Sequence, residues 1–238
     1  MLAGIARPQD TPAPPATLDW NLWMAGAPER PYHPAYHPFK WRGWWDFGCG
    51  ALGDMGCHHL DPIFRALKLA SPISVEAECE GIMPETGPAK STIVYEFAAG
   101  GDMPALTLTW YDGGRELTPP AGARGGPQDG RPLRRHALGR QPGQDHDRRL
   151  GDVPRLIPEK AMQAYQRRKN RCPLARYHEE FVIAAKGGDR AGADFAYGGP
   201  LTESALLGNV ALRAGEKFTW DAALMKTSSE KANAFLGA

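Results

Sequence analysis

Three residues within 41–61, WRGWWDFGCGALGDMGCHHLD, have the types and spacing for proton-transfer chemistry: Asp54, His58 and Asp61. They stand at i, i+4 and i+7, which on an α-helix brings them within roughly 60° of one another. An imidazole that titrates near neutrality, beside a carboxylate that fixes its tautomer, makes a general base. The same pair suits a metal ion, and it equally suits a helix cap beside a partly buried, hydrogen-bonded imidazole. Spacing alone leaves these readings open. His59 is rotated well away from the stripe.

The elements that must carry these residues can be read from pattern. Glycines 48, 50 and 53 admit a helix over about 51–69, with a kink or break expected at Pro62. Ahead of it, 18–47 crowds nine aromatics among prolines 28, 31, 34 and 38, so an irregular aromatic loop laid over a core is expected. Downstream, 73–83, 91–98 and 105–111 alternate apolar and polar residues and read as successive antiparallel strands. Helices are expected over 175–186, stopping at Gly187–Gly188, and over 201–214, with Thr202 as N-cap and Gly215 as stop. A short strand is expected at 217–220. The fold class is therefore α+β: an antiparallel-dominated sheet with helices packed on one face.

Between Asp112 and Asp152 the large apolar residues are Leu117, Leu133, Leu138 and Leu150, with no aromatic, valine, isoleucine or methionine. Such an Arg/Gly/Pro-rich stretch buries too little apolar surface to offset its ordering entropy, so a poorly ordered insertion is expected, with order returning near 153–164. Its arginines alternate with Asp129, Asp145 and Asp147 and lack aromatics for base stacking, which argues against nucleic acid. A net charge of +1 agrees. No apolar run is long enough to span a bilayer and no signal peptide is evident, so a cytoplasmic protein is expected. Cys49, Cys57, Cys79 and Cys172 form no CxxC pair, pointing to reduced thiols rather than a zinc ribbon or disulfide framework.

The segment GALGDMGCHHLD resembles the helix signature of the Gfo/Idh/MocA oxidoreductases, in which a glycine-rich turn leads into Asp-x-Gly-x-His-x-x-Asp. LDWNLWMAGAPERPYHPAYHPFKWRGWWDFG, VPRLIPEKAMQAY and FAYGGPLTESALLGNVALRAGEKFTWDAALMK also look like the bacterial-type C-terminal domain of that family. The resemblance covers most of 18–111 and 153–226. Residues 1–17, rich in proline and alanine, read as an extended lead-in, and the resemblance implies a substrate and oligomerisation domain over 18–226 interrupted at 115–151, with a tail over 227–238. It also implies catalytic-site roles for Asp54 and His58, a sugar or polyol substrate, and NAD or NADP as cofactor. Lys40, Arg42, Trp44 and His59 become candidate substrate-binding residues, although long cations on an aromatic loop also lie over its rings. Asp61 reads as structural.

Two departures qualify these implications. Neither GxGxxG nor the family's Glu-Lys-Pro motif is present, so no cofactor-binding residue is assigned and a Rossmann partner, encoded separately, is implied. The expectation is a truncated C-terminal half, inactive alone, forming a homo-oligomer through its open sheet face. A non-enzymatic remnant or interaction module is the alternative, and a metal-dependent hydrolase using Asp54, His58, His59 and Asp61 is a more distant one. The second departure is 115–151, where relatives have further strands and this sequence resembles a shifted reading frame. Re-reading the encoding DNA in the other frames between Arg115 and Gly151 should recover a valine- and glycine-rich strand sequence. Its absence would reject compensating frame changes there.

Overall fold

In the computed structural model the described residues are 4–101, 103–113 and 177–237. The low-aromatic insertion at 115–151 and the segment 153–164 lie outside them. Residues up to 116 together with 201–238 make one compact unit, and 117–200 belong to a second.

In the first unit, α1 (Trp20–Met24) is followed by a 3₁₀ turn at Lys40–Gly43 and the long helix α2 (Gly50–Leu67). Three antiparallel strands come next: β1 (Ser74–Glu80), β2 (Lys90–Phe97) and β3 (Leu106–Asp112). These coincide closely with the three segments expected from alternation. β4 (Phe218–Asp221) pairs with β1, and β5 (Lys226–Thr227) pairs with β4, giving the antiparallel order β3-β2-β1-β4-β5.

Register divides the sheet into two chemically distinct faces. Val75 opposes Tyr95, which opposes Leu108, and Ala77 opposes Ile93, which opposes Trp110, so these side chains share one face. Val75, Ile93, Tyr95, Phe97 and Phe218 are essentially buried there. The other face carries exposed Glu76, Glu78 and Glu80 beside Glu96 and the threonines of β3. Lys217 bridges two strands on that side, its Nζ 3.2 Å from Glu96 and 4.0 Å from Glu76.

α2 covers the apolar face. Leu52, Gly56, Leu60 and Phe64 recur every four residues and are buried, with the Phe64 ring edge-on to Phe97 at 5.7 Å. The helix passes through Pro62 unbroken and ends at Leu67, where Lys68 turns left-handed at φ 51°. Pro62 has no N–H, so the His58 carbonyl loses its i+4 donor, yet burial on the opposite side keeps the helix continuous.

The helix expected over 201–214 begins earlier. It runs as one element over Phe195–Ala214 (α4), after α3 at Tyr177–Ala185. Thr202 is therefore not its N-cap; the Asp194 carboxylate receives the Tyr197 N–H at 3.0 Å instead. The two glycines and Pro200 concealed that earlier start. Gly187 and Gly215 both adopt positive φ and end α3 and α4 as expected. The tail contributes β5 and α5 (Glu230–Asn233), where Ser229 caps the helix by accepting the Ala232 N–H.

The aromatic segment is an irregular layer held by polar contacts. Trp20 donates its indole N–H to the Arg30 carbonyl at 2.7 Å and stacks on Trp23. The Arg30 guanidinium is buried, pairs with Asp46 and Glu85, and lies 4.9 Å from the centre of the Phe47 ring. The lead-in joins this layer: Ile5 exchanges hydrogen bonds with the buried Thr86 hydroxyl, and Arg7 pairs with Glu85 at 2.9 Å.

Gly208 lets α4 approach the sheet closely. A Cβ there would stand 2.2 Å from the Tyr95 hydroxyl oxygen and 2.5 Å from Leu52 Cδ2. Gly208→Ala should therefore lower stability by about 1–3 kcal/mol in denaturant unfolding. The Tyr95 hydroxyl is buried with no hydrogen-bond partner among the described residues. Adding Tyr95→Phe should thus recover part of the Gly208→Ala loss, detectable as a non-additive double-mutant cycle.

Candidate active site

Burial of the Leu52–Phe64 stripe turns Asp54, Cys57 and His58 outward on α2. Asp54 and His58 remain one helical turn apart on an accessible strip, the placement their spacing predicts. Asp61 lies another turn along, half-buried, and engaged in an interaction of its own.

Arg42 comes to this strip from the 3₁₀ turn. Its Nε donates to Asp54 Oδ1 at 3.3 Å, and Nη1 donates to the Phe39 carbonyl at 3.3 Å. The guanidinium carbon lies 4.6 Å from the centre of the Phe39 ring and 4.4 Å from that of Trp41. Two aromatic rings thus hold a cation against the carboxylate. Gly48 makes the approach possible: a Cβ there would sit 2.7 Å from the Arg42 carbonyl oxygen and 2.8 Å from its Cα.

The remaining sequence candidates separate. Trp44 is wholly buried and donates its indole N–H to the Ala35 carbonyl at 2.8 Å, so it packs the aromatic layer and presents no face to a substrate. Its place among the five tryptophans of the aromatic segment gave no sign of which would be inside. Lys40 is exposed at the start of the 3₁₀ turn. His59 is half-buried, and its ring centre lies 5.9 Å from Trp110 on the apolar sheet face. It looks inward while His58 looks outward. Four candidate ligands on α2 consequently do not converge, and no group of three or more His, Cys, Asp or Glu suited to a metal occurs among the described residues.

Trp41 has a second surrounding. With Trp23, Met24, Ala27, Asp46 and Phe47 it lines an open cleft of about 410 Å³. Sequence reasoning named Trp44, and not Trp41, as a substrate-binding candidate. The flanking of Arg42 by Phe39 and Trp41 was the available signal, because an arginine among aromatics tends to lie over their rings. Asn209 on α4 was not legible at all. Its Nδ2 donates to the Cys49 carbonyl at 2.8 Å, tying the start of α2 to a residue distant in sequence.

Residues 4–106 match the Gfo/Idh/MocA family model described as "Oxidoreductase family, C-terminal alpha/beta domain". Over these residues the protein is similar to the C-terminal domain of the Gfo/Idh/MocA oxidoreductases. The matched stretch contains the aromatic layer, α2 with Asp54 and His58, and β1 and β2. A comparison with curated proteins gives no match. The α+β architecture accords with a family C-terminal domain.

The described residues do not fit a dinucleotide. Their sheet is antiparallel throughout, whereas a pyrophosphate seat is built from a parallel strand, a glycine turn and a helix N-terminus. The N-terminus of α2 is instead closed in by Trp45, Gly87, Pro88 and Asn209. No helix among the described residues is long and apolar enough to cross a membrane.

Burial pushes the His59 imidazole below its ordinary pKa, with the neighbouring His58 acting in the same direction. The folded protein therefore favours neutral His59, while the unfolded chain takes up its proton near pH 6.5. Stability from this group is fully present above that value and falls as pH drops through the folded-state pKa. His59→Gln should flatten the decline in Tm between about pH 7 and pH 5 relative to the parent. Parallel Tm–pH curves would show that His59 contributes nothing to it.

Proposed function

We propose that this chain supplies the substrate-binding half of an NAD(P)-dependent sugar or polyol oxidoreductase, with Asp54 and His58 at the reacting hydroxyl. The observation that carries this reading is the outward placement of both side chains on α2, with Asp54 held by an aromatic-flanked Arg42. It is supported by the family match across the same residues.

Within this reading His58 accepts the proton of a substrate hydroxyl at an imidazole nitrogen. Asp54 orients that hydroxyl or the ring, and Arg42 holds the Asp54 carboxylate in place. Lys40 stands at the approach to the site, where an ammonium suits a polyhydroxylated ligand. The described residues offer no dinucleotide seat, so the hydride acceptor belongs to a Rossmann domain outside them. The open sheet face, with its glutamates and threonines, is the surface proposed for homo-oligomer formation. Reduced thiols at Cys49, Cys57 and Cys79 suit the cytoplasm.

Titration of NADH fluorescence with the purified full chain should show no saturable binding. Addition of a separately expressed family Rossmann domain should restore binding and polyol-dependent NAD(P) reduction. In that reconstituted system Asp54→Asn and His58→Gln should each lower kcat by about 10²–10⁴-fold. Restored cofactor binding with unaltered turnover in both variants would sink the assigned roles. Failure of every Rossmann partner to bind or to support turnover would favour a non-enzymatic interaction module.

A further inference from the structure

The open cleft of about 410 Å³ beside α1 is walled in large part by three aromatic rings and a carboxylate, those of Trp23, Trp41, Phe47 and Asp46. That volume lies within the range of roughly 300–1,000 Å³ typical of small-ligand sites. Protein contacts alone hold the rings. Trp23 stacks on Trp20 with ring centres 4.7 Å apart and meets Phe47 at 5.1 Å. Trp41 carries the Arg42 guanidinium over its ring at 4.4 Å, and Arg42 in turn donates to Asp54. One indole therefore belongs both to the cleft wall and to the surroundings of the candidate active site.

Charge decides which ligand fits such walls. Ring faces beside a carboxylate suit an organic cation, which is drawn to the negative face of each ring. They also suit a sugar, whose axial C–H groups lie against a ring face while its hydroxyls reach polar groups at the edge. Asp46 is not a spare negative charge, because it pairs with Arg30, whose side chain is only 2 % exposed. Arg30 also approaches Glu85 at 3.5 Å, and Glu85 takes Arg7 at 2.9 Å, so two guanidinium groups meet two carboxylates. A ligand cation would compete with Arg30, which already lies over the Phe47 ring at 4.9 Å. A hydroxyl needs only an acceptor lone pair on the Asp46 carboxylate, and Asp46 is exposed.

We propose that the cleft is a subsite for a neutral pyranose ring, seated against the Trp41 indole with one hydroxyl donated to Asp46. It rests on the oxidoreductase reading above and receives the non-reacting ring of a glycoside whose other sugar unit stands at Asp54 and His58. The substrate class is thereby narrowed from any polyol to a neutral glycoside of at least two units. Binding of the second ring orients the reacting hydroxyl without touching it.

Binding is measured on the full chain without cofactor, so it does not depend on turnover. At least one of cellobiose, maltose and lactose should change tryptophan fluorescence saturably across the millimolar range, and tetramethylammonium should not. Ala27 lines the same cleft, and Ala27→Leu should fill it and weaken that disaccharide about tenfold with the parent's Tm retained. Trp41→Leu should weaken it similarly, and Trp41→Phe should keep most of the affinity. Saturation-transfer NMR on the parent needs no variant: irradiated aromatic protons should pass magnetisation to the ring C–H protons of the bound sugar. No saturable response to any of the three disaccharides, undiminished binding in Ala27→Leu, or tighter binding of tetramethylammonium would overturn the subsite. Disaccharide binding that Ala27→Leu abolishes, without turnover in the reconstituted system, would uphold the subsite and reject the oxidoreductase reading. Turnover of free polyols without disaccharide binding would do the reverse.

Discussion

The arrangement rests on one burial constraint, the packing of Leu52, Gly56, Leu60 and Phe64 of α2 against the apolar sheet face and α4. Each large side chain in that stripe contributes roughly 1.5–3 kcal/mol when removed from water. Rotating the helix would forfeit several such terms together, so its outer face is fixed as firmly as its inner one. Asp54 and His58 are exposed because four positions on the other side are not. The same constraint keeps the helix running through Pro62, where the local backbone alone would favour a kink.

A second layer of order comes from cations placed against rings and carboxylates. Arg30 is buried beneath Tyr36 and Phe47 and joined to Asp46 and Glu85, which links the aromatic segment to the turn after β1. Such a charge is tolerated inside only with its partners in place. Arg42 repeats the device at the surface, between Phe39 and Trp41, with Asp54 as its acid. One arginine builds the scaffold of the aromatic layer and the other connects that layer to the site helix. Through the second, a segment with few regular elements gains a defined position beside Asp54.

The strands of the first unit were legible because they obey a two-residue period and are separated by glycine and proline turns. β1, β2 and β3 fall within a residue or two of their expected limits at nearly every end. α2 was legible through its glycine-rich entry and its Asp/His spacing. The start of α4 was not, since the glycines at 198 and 199 and Pro200 imitate a boundary while Asp194 provides the actual cap. Trp44 and Arg42 expose the same difficulty in the site. Residue type marks each as able to meet a ligand, but only long-range packing buries one indole and sandwiches the other side chain.

The sequence by itself determined the α+β class and the placement of Asp54 and His58 on one stripe, because these follow from short-range periodicity, and its motifs carried the family resemblance. Tertiary structure decided which neighbours those residues keep. It brought Arg42 onto Asp54, turned His59 toward Trp110, buried Trp44, and placed Asn209 at the head of α2. The physical reason is that period and spacing fix directions around one helix or strand. Contacts between elements depend on how apolar stripes distant in the chain dock, and no local pattern encodes that docking.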